Sequence, residues 1–437
     1  MRILLTGINY APEVTGIAPY TTGLAEGLAE RGHQVDVVTG LPHYPEWRVA
    51  DGWGSESGST STRNSVGIRR IHHHVPSVPS LKGRLRMEVS FGLHAVAARA
   101  PRPDLVLAVT PALIASAMVI ARARVRGVPA GLIVQDLYGL GVRETGSAFG
   151  PAASSVSRFE ATVFRRASGV AVIHDHFRDS VVEMGVDKEH VTVIRNWSHF
   201  TPAGTKRVSA EMSRRTRHAY GWREDEIVVL HAGNMGLKQG LDNVIEAARL
   251  ADARNLPVRF VLVGDGNQRA RLQEMAGGGG HLDMIDPLPE EEFRAIVAAA
   301  DLLLVNELPG VREMAVPSKL TTYFAAAHPV IGAVDANGVT AGEIFSSGAG
   351  TVVPPGDPCA LVEEACRLGH DEDQCTEFAA CGPAYAHKVL SVRSAIDQYA
   401  EWCERLASQR GRASASVAYS PGAQQPSAAT DPAGRWL

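Results

Sequence analysis

Two lysines stand where a cation could meet a phosphate. Lys238 lies in Gly233-Asn234-Met235-Gly236-Leu237-Lys238-Gln239-Gly240, directly after the apolar run Val229-Leu230-His231-Ala232. Glycines after a strand let a ligand approach the backbone. The N–H groups opening a following helix are unpaired and carry the positive end of its dipole. Such a turn suits phosphate oxygens, with Lys238 adding a full charge. An unliganded turn fits the same spacing, because the pattern is neither a Walker loop nor a strict G-x-G-x-x-G. Lys319 sits in Pro317-Ser318-Lys319-Leu320-Thr321, where Pro317 and Ser318 are helix-start signals. A cation there opposes the helix dipole, so Lys319 reads either as the partner of a bound anion or as a solvated side chain.

Other segments could face the same ligand. Val263-Gly264-Asp265-Gly266 closes another apolar run. Gly264, Asp265 and Gly266 could therefore seat a nucleotide beside Gly233, Asn234 and Gly236; a tight turn before a helix reads the same way. Asn9 to Ala18 joins the first strand to a helix, and Gly16 near that helix start could meet the same phosphates from an opposing domain. Asp136 follows one strand, and His174, Asp175 and His176 follow another. Either acid could orient an acceptor hydroxyl, or cap a helix or loop. In His72-His73-His74 only alternate side chains share a face and no acid stands nearby, so no metal centre is expected.

These residues need parallel strands ending side by side. Apolar runs of strand length alternate with amphipathic stretches of helix length nearly from end to end, the pattern of parallel sheets with crossover helices. Strands are expected over Ile3 to Thr6, Val35 to Thr39, Ile68 to His72, Leu105 to Val109, Gly131 to Val134, Val170 to Ile173 and Val191 to Ile194. A polar stretch from Phe200 to Glu226 then interrupts the alternation, setting a domain boundary near 198–206. Strands are expected to resume over Ile227 to Ala232, Arg259 to Val263, Leu282 to Ile285, Leu302 to Asn306, Val330 to Ala333 and Thr351 to Val353. The fold class is α/β: two Rossmann-like doubly wound parallel-sheet domains, 1–200 and 201–388, facing a cleft. Helices are expected over 371–386 and 390–408, with residues 389–407 crossing back onto the first domain. The remainder, 408–437, is rich in Ser, Ala, Gly, Pro and Gln and is expected to be disordered. Long loops, Leu41 to Gly67 and Gln135 to Ala153, follow strand ends, where open α/β sheets place ligands.

Composition narrows the function classes. A chain of 437 residues suits two α/β domains, and a net charge of -4 argues against a dedicated nucleic-acid binder. The first 200 residues are mildly basic. There Lys82, Arg84 and Arg86, interleaved with Leu81, Leu85 and Phe91, could lie on an anionic membrane surface or form a solvated helix start. The opening Met1 to Gly7 reads as a strand before a glycine rather than a signal peptide. Leu105 to Ala123, which contains Thr110, Pro111 and Ser116, reads as strand-turn-helix rather than a membrane span. Cys359, Cys366, Cys375, Cys381 and Cys403 hold no C-x-x-C pair and read as reduced thiols of a cytoplasmic chain.

Taken in order, Gly7-Ile8-Asn9-Tyr10-Ala11-Pro12-Glu13-Val14-Thr15-Gly16, Pro42-His43-Tyr44-Pro45-Glu46-Trp47, Gln135-Asp136, Asn196-Trp197-Ser198, the Gly233 to Gly240 turn and Pro317-Ser318-Lys319-Leu320-Thr321 carry a family likeness. They resemble glycosyltransferase family 4, the two-domain retaining transferases of the B fold, and are especially similar to its colanic-acid-type fucosyltransferases of polysaccharide biosynthesis. The resemblance runs from Met1 to about Arg405. It implies transfer of a hexosyl or deoxyhexosyl group, with retention, from a nucleotide diphosphate sugar to a saccharide or lipid-linked acceptor. It implies an N-terminal acceptor domain, a C-terminal donor domain, no required cofactor or metal, and a cytoplasmic site of action at the inner face of the membrane.

Carried over residue by residue, the resemblance has Gly16 offering its amide to the diphosphate. Lys238 and Lys319 neutralise the leaving group, Gly264 to Gly266 lie near the nucleoside, and Gly233, Asn234, Gly236 and Ser318 belong to the donor site. Asp136 is the candidate acid for the acceptor. A sugar cation and a departing diphosphate form together, so fixed positive charge at the leaving oxygens lowers the barrier. Some positions depart from the family pattern: Asn234 stands where arginine is usual, and Met314 and Thr322 where a glutamate pair is usual. Glu307, Glu313 and Glu343 are nearby acids that could hold the ribose or the donor sugar. A non-catalytic nucleotide-sugar scaffold, favoured by the missing glutamates, and a nucleotide-sugar epimerase of the same fold are the alternatives.

Overall fold

Leu105–Val109 and Ala130–Val134 are buried at every position, so neither can be a strand with one wet face; both need helices above and below. The computed structural model describes residues 1–14, 16–53, 60–77, 80–137, 150–197, 210–278, 280–312 and 318–418. Its first part holds β1 (Arg2–Thr6), α1 (Ala18–Glu30), β2 (Gln34–Gly40), β3 (Thr60–Arg63), β4 (Val66–Ile71), α2 (Leu81–Ala97), β5 (Leu105–Val109), α3 (Leu113–Val125), β6 (Ala130–Val134), α4 (Gly150–Arg166), β7 (Gly169–Val172), α5 (Asp175–Glu183) and β8 (Val191–Val193). The sheet order is β3-β4-β2-β1-β5-β6-β7-β8, and only the β3–β4 pair is antiparallel.

After α6 (Ala210–Ala219) the pattern repeats with β9 (Ile227–Ala232), α7 (Asp242–Ala253), β10 (Val258–Val263), α8 (Arg269–Ala276), β11 (Leu282–Ile285), α9 (Glu290–Ala299), β12 (Leu302–Asn306), α10 (Ser318–Ala325), β13 (Val330–Ala333), α11 (Val339–Ser347), β14 (Gly350–Val353), α12 (Pro358–Gly369) and α13 (Glu372–Val389). This sheet is parallel throughout, in the order β11-β10-β9-β12-β13-β14. Both sheets are doubly wound as expected. The order reverses between β1 and β5 in one and between β9 and β12 in the other, and open α/β sheets bind ligands outside the carboxyl ends at such points. The loop holding Gly16 follows β1 and the Gly233 turn follows β9, so both glycine segments stand at switch points. The expected domain boundary near 198–206 lies outside the described residues.

Several elements differ from the sequence expectation. β3 falls inside the stretch expected as a loop because its Thr-Ser-Thr-Arg is exposed at all four positions and shows no alternation. Asn64 and Ser65, with φ of 47° and 65°, make the left-handed turn that pairs it with β4. The strand expected to reach His72 ends at Ile71. The last helix, α14 (Val392–Ala418), continues past Ser408, where the tail was expected to begin; the alanines there favour helix without any apolar periodicity in the sequence. Residues 419–437 lie outside the described residues.

α14 returns to the first domain. Ala395, Ile396, Tyr399, Trp402, Cys403 and Leu406, spaced at three and four residues, join the core of Ile3, Leu5, Leu105 and Leu107. Gly27, Gly131 and Gly169 form its floor. A Cβ on Gly27 would come within 2.8 Å of Ile396, one on Gly131 within 2.6 Å of Trp402, and one on Gly169 within 2.8 Å of Leu406. Arg31 also donates to Asp397 at 2.8 Å and to the Arg393 carbonyl at 3.2 Å. All five cysteines are free, and burial pushes the Cys403 thiol up to about 12. Trp402→Ala is expected to cost about 3–5 kcal/mol, the usual penalty for emptying a large aromatic site. Urea denaturation followed by the first domain's fluorescence measures this; a loss below about 1 kcal/mol would show that α14 is dispensable to that core.

Candidate functional site

The floor of the cleft is made by backbone. Gly233 and Gly264 end the adjacent strands β9 and β10 with φ of 129° and 138°. A Cβ on Gly264 would lie 2.0 Å from the Gly233 carbonyl oxygen, and one on Gly266 would lie 2.5 Å from that of Met235 and 2.6 Å from Asn234 Oδ1. Only glycine fits either position. Hydrogen bonds join the two turns: Gly233 N–H donates to Val263 O at 2.8 Å, Met235 N–H to Asp265 O at 2.8 Å, and Gln268 N–H to Met235 O at 3.0 Å. Asn234 and Asp265 are exposed above this floor, and Asp265 accepts the Gly266 N–H at 2.7 Å. Gly233, Asn234, Gly236, Gly264, Asp265 and Gly266 are thus brought together.

The turn bearing Lys238 opens only a short 3-10 segment, Leu237–Gln239; the α-helix starts later, at Asp242. Gly236 N–H donates to Gln239 Oε1 at 3.0 Å, and Gly240 turns the chain with a φ of 53°. Asn306, at the end of β12, donates to the Gln239 and Gly240 carbonyls at 2.7 and 3.0 Å, and Leu308 N–H donates to Lys238 O at 2.8 Å. The Lys238 backbone is therefore fixed. Its ammonium has no carboxylate partner among the described residues.

Lys319 enters from α10 beneath the same turn. A Cβ on Gly233 would lie 3.6 Å from both Lys319 Cε and Nζ. Nζ reaches Nε2 of the fully buried His231 at 2.9 Å, while His231 Nδ1 faces the Leu304 carbonyl oxygen at 3.2 Å. A carbonyl only accepts, so Nδ1 carries the proton and Nε2 accepts from Lys319. Burial, then the nearby ammonium, holds His231 well below its usual range and keeps it neutral. Burial also pulls Lys319 down to about 7, against the opposing pull of Glu307. Glu307 accepts from Thr340 Oγ1 at 2.7 Å. Glu313 and Met314 lie outside the described residues, as does the side chain of Ser318.

Gly16 and Asp136 belong to the first domain. Buried Glu13 accepts the His43 and Tyr44 N–H groups on one oxygen at 2.8 and 2.9 Å, and Asn9 Nδ2 on the other at 2.9 Å. This carboxylate ties the loop after β1 to the loop after β2. Gly16 has a φ of 63°, and its Cβ would come within 3.3 Å of the Tyr44 ring. Gln135 accepts from Asn196 Nδ2 at 2.8 Å, bringing two of the sequence motifs together, and Asp136 beside it accepts the Leu137 N–H at 2.9 Å. Of the three consecutive histidines, His72 is exposed and His73 buried, and burial and His43 pull His73 down to about 3. Among the described residues no group of three His, Cys, Asp or Glu side chains could hold a metal ion.

Glu343 joins the two domains. It is 3% exposed; Oε2 accepts from Arg195 at 2.7 Å and from His174 Nε2 at 3.2 Å, and Oε1 from the Tyr385 hydroxyl at 2.7 Å. His174 Nδ1 accepts the His176 N–H at 3.2 Å, which leaves Nε2 as the donor. Both oxygens of this candidate for the donor sugar are therefore committed to side chains. A cavity of about 40 Å³, lined by Tyr20, His174, Arg195, Thr321 and Leu390, lies beside it. The sequence reading did not single out His231, Glu13, Arg195 or Tyr385. A histidine inside an otherwise apolar strand is a usable signal for His231; Tyr385 lies far along the chain on a helix and offers none.

Two family models cover most of the chain. One described as a glycosyl transferase 4-like domain matches residues 15–197, and one described as glycosyl transferases group 1 matches residues 212–383. WcaI of Escherichia coli K12, a glycosyl transferase named for colanic acid biosynthesis, is 33% identical over 342 residues, 74% of this chain and 81% of WcaI. The chain belongs to the group 1 glycosyl transferase family. This transferase also shares its fold with solved structures. Anabaena HepE, solved with UDP-glucose, superposes with a TM-score of 0.67 at 18% identity, covering 93% of this chain and 100% of HepE. WaaG, a glycosyltransferase involved in lipopolysaccharide biosynthesis, gives 0.64 at 17% identity, covering 92% and 99%. The architecture is the glycosyltransferase B fold.

Three donors outweigh the cost of burying Glu343 and hold its carboxyl down at about 2 against an ordinary 4.5. A folded-state value below the unfolded one stabilises the transferase at neutral pH, and the contribution fades as pH falls from about 4.5 towards about 2. Glu343→Gln, which leaves Arg195 only the exposed Asp175 carboxylate at 3.7 Å, is expected to cost about 3 kcal/mol at neutral pH. In denaturant titrations across this range the gap between the two proteins should narrow on acidification; a gap independent of pH would show that this charge does not support the domain contact.

Proposed function

We propose that the chain transfers a hexosyl or deoxyhexosyl group, with retention, from a nucleotide diphosphate sugar to a saccharide or lipid-linked acceptor in polysaccharide assembly. The observation that carries this reading is the Lys319 ammonium, fixed 2.9 Å from His231 Nε2 beneath the Gly233 turn. A cation held under a glycine-walled opening is arranged for diphosphate oxygens, and being fixed before the reaction it needs no reorganisation as charge builds on the leaving group. Lys238 supplies the second cation, and Gly16 offers its amide from the facing domain. Asn234, Gly236, Gly264, Asp265 and Gly266 seat the nucleoside, with Ser318 opening the helix that carries Lys319.

Asp136 orients the acceptor hydroxyl. The acceptor attacks on the face from which the diphosphate departs, so configuration is kept and no protein nucleophile is needed. The lysines supply the charge a metal ion would otherwise bring, and no cofactor is invoked. The name of WcaI supports polysaccharide assembly, and UDP-glucose in HepE supports a nucleotide-sugar donor. A lipid-linked acceptor, met at the inner face of the membrane in the cytoplasm, accords with the start of α2. There Leu81 and Leu85 are 61% and 51% exposed beside exposed Lys82, Arg84 and Arg86, although Phe91 faces the core. Among the described residues no helix is long and apolar enough to cross a membrane.

A thermal-shift screen of UDP-, GDP- and dTDP-sugars identifies the donor, since a ligand at a hundred times its Kd stabilises the fold by about 2.7 kcal/mol. With that donor, Lys238→Ala and Lys319→Ala should each lower transfer by about 10²–10³-fold while the proteins stay folded. Activity within a few-fold of wild type in both would remove the charge-neutralising role of the lysines, and donor binding with no transfer by the wild type would favour the non-catalytic scaffold. Separately, Leu81→Ser with Lys82→Glu should abolish co-sedimentation with phosphatidylglycerol vesicles. Equal binding to phosphatidylcholine vesicles would remove the anionic preference, and an unaffected variant would remove the start of α2 as the contact.

A further inference from the structure

The Lys319–His231 pair does more than place a charge. We propose that His231 is a positioning residue that holds Lys319 as a proton-dependent counter-ion, so that binding of the donor diphosphate draws one proton from solvent onto Lys319 Nζ. This rests on the donor reading of the Gly233 cleft and assigns a role to His231, which lies behind the ligand and does not touch it.

The geometry leaves His231 one job. It is wholly buried in β9, its Nδ1–H is directed at the Leu304 carbonyl of β12, and its remaining lone pair points at Lys319. It cannot become a cation without losing one of these contacts and burying a second charge beside the ammonium. Lys319 has a different choice. As an amine it can still donate an N–H to Nε2, while a lone pair on Nζ is left to take a proton. The groups facing it are His231 from β9, Glu307 following β12, and the Tyr323 hydroxyl on its own helix, which is tied to the Ala232 N–H at 2.8 Å. Glu307 alone among these favours the charged form, and burial outweighs it, bringing Lys319 to about 7. A diphosphate above the Gly233 turn adds negative charges on the open side and tips the balance to the ammonium.

The sign follows from linkage. Below about pH 7 Lys319 is already charged, and donor affinity is flat; above it, affinity falls by up to tenfold per pH unit, because the bound state holds a proton that the free state lacks. Removing the acceptor nitrogen weakens the ammonium more than the amine, since the hydrogen bond to the charged form is the stronger one. The onset of the fall then moves to lower pH.

The test is calorimetric titration of the transferase with the nucleotide sugar found by the thermal-shift screen, in buffers of differing ionisation enthalpy. A nucleotide sugar is chosen because its phosphate diesters do not titrate in this range. Wild type should take up close to one proton at about pH 8.5 and close to none at about pH 6. Lys319→Met should bind more weakly with no uptake at either pH. His231→Phe should shift the pH profile down by about one unit, and His231→Gln, which restores an acceptor, should bring it back. Uptake near zero in wild type at both pH values, or uptake that persists in Lys319→Met, overturns the proposal, and the wild-type measurement needs no variant to fold. A His231→Phe protein with weaker affinity but an unshifted profile reduces His231 to a packing role and overturns its part. Failure of every nucleotide sugar to bind is a different result, which removes the donor reading itself.

Discussion

A methyl group on Gly264 would lie 2.0 Å from the carbonyl oxygen of Gly233, and the cleft depends on that closeness. β9 and β10 pair in parallel with Ala232 opposite Val263, so the chain leaves both strands at one level. Two ordinary residues there would splay the turns apart. Because both are glycine, the turns instead share hydrogen bonds and form one continuous backbone floor. The same lack of side chains lets Lys319 pass within 3.6 Å of where a Gly233 Cβ would stand. A backbone constraint therefore decides where the charge can be.

Glu343 and Lys319 are held in opposite ways. Glu343 meets Arg195, His174 and Tyr385, whose combined pull exceeds the penalty of burial, so its charge is fixed across the whole working range of pH. Lys319 meets one neutral imidazole, and the pull of Glu307 is too little to offset burial, so its charge is open to change near pH 7. The fixed charge lies at the contact between domains, and the responsive one lies where a ligand would enter. A partly buried group with spare bonding capacity suits a site that is occupied only part of the time.

Much of the fold was legible because parallel strands covered on both faces read as unbroken apolar runs, as in Leu105–Val109 and Leu302–Asn306. β3 escaped notice because four exposed polar residues at a sheet edge bury nothing. The far end of α14 resembles a tail in the sequence because its serines and alanines give no apolar periodicity. The glycine turns were legible as turns, and Gly131 and Gly169 became meaningful only once Trp402 and Leu406 lay over them. The role of Glu343 could not be read at all: its partners Arg195 and His174 lie 148 and 169 residues away, in the other domain. The tautomer of His231 is likewise set by a carbonyl 73 residues distant.

The glycine floor and the domain contact are connected through one short helix. α10 directs Lys319 towards His231, while its neighbour Thr321 hydrogen-bonds Tyr20 on α1, the helix that follows Gly16. Leu320, Tyr323 and Phe324 are buried in the second core, so α10 cannot turn to serve one contact without disturbing the other. A relative movement of the domains would change the Tyr20–Thr321 contact, and through the first turn of α10 it would act on Lys319 beside the glycine floor. Glu343 constrains the same movement from α11, holding Arg195 and His174 against the second domain. A movement at the cleft must therefore keep or exchange the Tyr20–Thr321 contact together with the setting of Lys319, since Thr321 and Lys319 share one rigid helix.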